Sequence, residues 1–149
     1  MIKIRVQIPN SIFQMKTKLR QAVRQTVREE TPKLSQEIIS RTRRGQNVQG
    51  GSFRSYSESY KKQRQRMGLQ TSPVNLTVTG EMLDLQEKIV ERSDEVVATI
   101  LVPILTEEYA KRHNKGLRGM PKRNFMGLSK QQVNKFKERL LRNVYKALK

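Results

Sequence analysis

Gln86–Val102, QEKIVERSDEVVATILV, reads as two strands folded about Ser93-Asp94. The second, VVATILV, is the most strand-like run in the chain, rich in β-branched residues, and belongs near the centre of a sheet. Pro103 has no N–H to donate, so it ends that strand or places it near an edge. A third strand lies far away in sequence. Ile2, Ile4, Val6 and Ile8 alternate with Lys3, Arg5 and Gln7, the pattern of a half-buried strand ending at Pro9-Asn10.

Outside these strands the period changes. Ile12, Met15, Leu19, Ala22/Val23 and Thr26/Val27 recur at three- and four-residue spacing, capped by Asn10 or Ser11. Leu34, Ile38 and Ile39 extend the face to about Thr42, so the spacing predicts one long helix, or two in tandem, over about 11–43. Thr31-Pro32 either kinks it or starts the second piece. At the other end, Ser129 and Gln132 form a capping box, and Val133, Phe136, Leu140, Leu141, Val144 and Leu148 make an apolar stripe. The fold class expected is α+β: a long N-terminal helix kinked at Pro32 and a C-terminal helix, packed on a small, mostly antiparallel sheet.

The 149 residues suit a single domain, 1–149. Residues 43–72 read as a flexible loop or extension, Gly-, Gln- and Ser-rich at first, with Tyr60–Met67 a short basic stretch of helical character. Glu81–Leu85 can form a helical turn or begin a strand, and Thr106–Arg112 can form a short helix. Glu108–Ser129, EYAKRHNKGLRGMPKRNFMGLS, holds six Lys/Arg against one acidic residue and reads as a basic, glycine-punctuated loop with a turn at His113-Asn114-Lys115-Gly116.

With no Cys, disulfides, thiol chemistry and cysteine metal sites are excluded. The N-terminus has no apolar signal region, and no run approaches the ~18–20 apolar residues of a membrane span, so no membrane is expected as partner. The net charge of +18 favours polyanionic partners and opposes a compact monomer by self-repulsion. With 35% apolar residues and no Trp the core is lean, which suits a subunit completed by its neighbours.

No constellation points to catalysis. His113 is the only histidine, so a nuclease site needing two is excluded. Glu81, Asp84, Asp94/Glu95 and Glu107/Glu108 form no spaced acidic motif and read as surface charge. There is no Gly-x-Ser-x-Gly elbow and no phosphate loop. The chain reads as a non-enzyme without cofactor, and His113 as a loop histidine bonded to a backbone carbonyl.

Two basic clusters are the candidate contact surfaces. One is the loop set Lys111, Arg112, Lys115, Arg118, Lys122 and Arg123, facing a partner or DNA. The other is Arg41, Arg43, Arg44, Arg54, Lys61, Lys62, Arg64 and Arg66. No helix-turn-helix, zinc finger or RRM signature accompanies them, so any nucleic-acid contact would go to phosphates rather than bases.

Four marks carry a family resemblance. They are Ser57–Tyr60 with Arg64; Pro73-Val-Asn-Leu-Thr-Val-Thr-Gly80-Glu-Met-Leu83; Glu108-Tyr109-Ala110 followed by His113-Asn114-Lys115-Gly116; and Pro121-Lys-Arg123-Asn-Phe125-Met-Gly127-Leu128-Ser129 ahead of the last helix. In this order they resemble the tailed-phage virion morphogenesis and tail-completion (neck) proteins, both Mu-type and HK97 gp10-like, over residues 53–148. Gly51-Ser52-Phe53 stands where that family shows a Trp-x-x-Leu. The resemblance implies an α+β subunit of the head–tail junction that assembles as a ring, often a hexamer. Its partners would be connector, tail-terminator or tail-tube proteins, with non-specific contact to DNA in the channel. The protein would be made in the host cytoplasm and reside in the virion. A non-sequence-specific nucleic-acid-binding protein is the alternative that charge alone supports.

Overall fold

The computed structural model describes residues 1–7 and 16–149. Expectations for Ile8 to Met15, including the Asn10/Ser11 cap and the first turn of the long helix, lie outside the described residues. The elements are β1 (Ile2–Gln7), α1 (Lys16–Arg43), α2 (Glu58–Arg66), β2 (Gln86–Glu91), β3 (Glu95–Leu101), α3 (Glu107–Lys115) and α4 (Lys130–Leu148). Short 3-10 turns form at Glu81–Leu83 and Ile104–Thr106. The class is α+β, with a long N-terminal helix, a C-terminal helix and a three-stranded antiparallel sheet.

The chain forms two compact units that interleave along the sequence. The first comprises 1–35, 87–101 and 128–149; the second comprises 36–86 and 102–127. The last turns of α1 belong to the second unit, the rest to the first.

In the first unit the strand order is β1-β3-β2, which puts the most β-branched run in the centre. β1 pairs with β3 from Ile2↔Ile100 to Gln7↔Glu95. Val96, Val97, Ala98 and Ile100 are buried. Burial on both faces explains why β3 reads as a continuous apolar run rather than an alternating one. α1 is tied to β2 by ion pairs from Arg24 and Arg28 to Glu91 at 3.3 and 2.7 Å. Its buried residues here are Ala22, Val23, Thr26, Val27, Glu30, Thr31, Leu34 and Ser35, a strict three-and-four stripe. α4 lies along it: Asn143 Nδ2 donates to Thr26 Oγ1 at 3.0 Å, and Arg139 pairs with Glu30.

Pro32 sits inside α1, and the helix continues through it as one element. Pro32 is exposed. Its ring therefore lies on the solvent side, where the missing N–H costs least. The capping box on α4 is present, with Gln132 N donating to Ser129 Oγ and Ser129 N donating to Gln132 Oε1. Of the expected α4 stripe, Phe136 is buried and Leu141 is 56% exposed, so Leu141 lies off the buried face.

Residues 43–72, expected as a flexible loop or extension, contain α2 and several anchors. Gln46 bridges to Ser52, and Phe53, Tyr56 and Arg64 are buried. Ser57 caps α2 by accepting from Tyr60 N. The core of the second unit is Phe53, Tyr56, Val74, Leu76, Leu83, Ala110 and Phe125, with Ile39, Tyr60, Met82, Val102 and Met126 packed against it.

Candidate functional site: an arginine-rimmed cleft

The second unit is assembled by buried arginines that bond backbone carbonyls. Arg64 is 1% exposed. Its Nε donates to Gln70 O at 2.7 Å, and its Nη2 to Thr77 O at 2.9 Å and Asn75 Oδ1 at 3.2 Å. Its guanidinium lies 4.8 Å from the Tyr56 ring centre and 5.8 Å from that of Tyr60. Arg123, also buried, lies 5.1 Å from the Tyr56 ring and donates to Arg54 O and Ser55 O. One tyrosine ring is thus in contact with two guanidinium groups, an arrangement that gains strength from exclusion of water. Tyr56 OH accepts from Leu76 N, and burial pushes its phenol pKa upward. Arg41 donates to Phe125 O and Gly127 O at 2.7 and 3.0 Å, and burial lowers its pKa.

Arg41, Arg64 and Arg123 are therefore scaffold residues, a correction to their place in the contact clusters. Arg43, Arg44, Arg54, Lys62 and Arg66 are exposed, as are Lys111, Lys115, Arg118 and Lys122. Lys61 pairs with Glu58 at 2.6 Å, and Arg112 with Glu108 at 3.7 Å. Both clusters fall within the second unit. The 108–129 stretch is not all loop, since its start belongs to α3.

The turn after α3 has a clear cause. Gly116 ends the helix in the left-handed region at φ 73°, and a Cβ there would meet Lys122 N at 2.9 Å. Two bonds then fasten the following run to α3. Arg123 N donates to His113 O at 2.7 Å, and Met126 N donates to Asn114 Oδ1 at 3.0 Å. Gly127 is required by close approach, because a Cβ would come within 2.8 Å of Val48 Cγ2.

His113 is helical and largely buried rather than on a loop, and its backbone carbonyl is the bonded group. The ring Nδ1 is buried without a hydrogen-bond partner. Burial, with the Arg123 charge beside it, lowers its pKa to about 4, so the imidazole is neutral at pH 7.

Around these groups opens a cleft of about 1220 Å³. Its lining includes the apolar side chains Met67, Leu76, Val78, Met82, Leu105 and Met120. Arg54, Arg118 and Arg123 are its cations and Glu81 its only carboxylate. Arg118 is held in the left-handed region at φ 55°, a costly conformation for a non-glycine residue. At one edge the turn Ile104–Thr106 and the start of α3 form an unusual ridge: Ile104 is 87% exposed, Leu105 96% and Tyr109 57%. Among the described residues no group of three His, Asp or Glu side chains is placed to hold a metal ion, and no helix is long and apolar enough to cross a membrane. The arrangement is equipped for docking an apolar, acidic surface.

The sequence reading missed this ridge. Its signal was the adjacency of Ile104 and Leu105, just beyond Pro103 and ahead of two carboxylates. No family model, no curated protein and no solved structure matches the chain.

Proposed function

We propose that this protein is a structural phage virion protein of the head–tail junction, a neck or tail-completion subunit that assembles as a ring joining tail to connector. The observation that carries the reading is the Ile104–Leu105–Tyr109 ridge beside an open cleft in the second unit. A small unit gains nothing by holding two aliphatic side chains almost wholly in water, and such patches mark protein interfaces. The resemblance adds to this. Its four marks, spread over residues 57–129, supply much of the second unit: Tyr56-flanking Arg64, core residues Leu76, Leu83, Ala110 and Phe125, the Gly116 turn, and Arg123. In this reading those residues are scaffold, and the exposed cations Lys111, Lys115, Arg118 and Lys122 face a channel or an adjoining ring.

The test is electron microscopy of the purified protein, alone and mixed with connector and tail-tube proteins. Closed rings of one symmetry that cap tails or connectors support the reading. Featureless monomers that bind neither sink it. The second reading, a nucleic-acid-binding protein acting through phosphates, draws on the nine exposed cluster cations. It predicts a steep fall of duplex affinity with salt, about one power of salt per phosphate neutralised. Combined reversal of Lys111, Arg118 and Lys122 to Glu would then flatten that slope; an unchanged slope removes the reading.

A further inference from the structure

We infer that the cleft of the second unit receives the Ile104–Glu108 ridge of a second copy of this chain, an interface that rests on the ring reading above and gives it a contact. The two features are complementary in polarity and charge. The ridge offers two aliphatic side chains exposed at 87% and 96%, followed after Thr106 by Glu107 and Glu108, both exposed. The cleft offers an apolar lining that includes Val78 and Met82, with arginines among its lining residues. Arg54 and Arg118 make no ion pair among the described residues, and both are exposed. Glu107 is likewise without an ion pair among them.

A nucleic acid fits this cleft less well. Its most buried aromatic ring, Tyr56, is only 5% exposed and already in contact with the Arg64 and Arg123 guanidinium groups, so it offers little surface for a base. Leu105, Thr106 and Tyr109 also line the cleft, so ridge and receptor adjoin on each copy: reciprocal docking closes a two-fold pair, whereas one-way docking has each copy supply a different surface. Repeated around a rotation that closes, such a contact gives a ring; if it does not close, it gives a filament.

The chain has no cysteine, so single cysteines report the contact cleanly. Ile104→Cys and Val78→Cys each alter an exposed side chain. Mixed in equal amounts under mild oxidation, the two chains should form a disulfide-linked pair at least about tenfold faster than Ser93→Cys mixed with Val78→Cys. Adding Glu107→Lys to the first chain should slow the link about tenfold, and Arg118→Glu in the second chain should restore much of it. A link no faster than the Ser93 control overturns the inference. Mass measured alongside separates the two ideas. Absence of the link in a protein that forms closed rings removes this contact and leaves the ring reading. Absence in a monomer removes both. A fast link in a species that never exceeds a dimer keeps the contact and removes the ring.

Discussion

At Tyr56 the ring is in contact with two buried guanidinium groups, those of Arg64 at 4.8 Å and Arg123 at 5.1 Å. Arg64 lies in KKQRQR and looks like surface charge, yet it bonds carbonyls that follow it by six and thirteen residues. Charge counting cannot see a guanidinium that finds backbone acceptors in its own loop; only the nearby Tyr56, Tyr60 and Asn75 could have suggested it. Lys cannot supply that fork or stack on the rings. Arg64→Lys should therefore lower stability by about 2–3 kcal/mol in thermal or urea melts, while Arg66→Lys stays within about 0.5 kcal/mol. His113 gives a pH signature. Its folded pKa of about 4 lies below the ordinary value of 6.5, so the unfolded chain binds more protons between them. Stability should be complete above pH 6.5 and fall as pH drops toward 4, by on the order of 2 kcal/mol after allowance for partial exposure. His113→Gln should flatten that part of the stability–pH curve; an unchanged curve would show that another group titrates. Glu30 acts lower. Burial raises its pKa, but the hydrogen bonds and charges of Lys33 and Arg139 outweigh that and hold it below the ordinary carboxylate value. Its contribution is present above pH 4.5 and is lost beneath it.

Among the elements, those with a strong period or a cap were legible: β1, the β2–β3 pair with β3 central, α1 and the capped α4. Ser129→Ala should cost about 1 kcal/mol by removing one half of the capping box. Pro32→Ala should do the reverse. The site is helical and exposed, so restoring the N–H and removing the ring should raise stability by about 1–3 kcal/mol; a loss would mean that Pro32 serves a contact outside the chain. What was not legible is tertiary. α2 has a mean composition so polar that no apolar face announces it, and its place depends on Ser57, Tyr60 and Arg64 together. Leu140 and Leu141 both fit the apolar stripe of α4 by spacing, and packing leaves Leu140 half-buried and Leu141 exposed.

The whole molecule is a +18 chain in two compact units, one sheet-and-helix, the other built around arginines, tyrosines and a cleft. The α+β class could be read from periodicity; the division could not, because α1 runs without interruption through the boundary at residue 35. Self-repulsion should make stability rise with salt up to several hundred millimolar, as exposed cations are screened. The same screening should help copies approach one another, whereas a phosphate-binding protein would lose its partner. The most direct measurement is therefore the solution mass by light scattering after nuclease treatment, at moderate salt and over a range of protein concentration. A single discrete multimer, stable on dilution, is the result predicted for a ring-forming subunit. A monomer at every concentration and salt would contradict it.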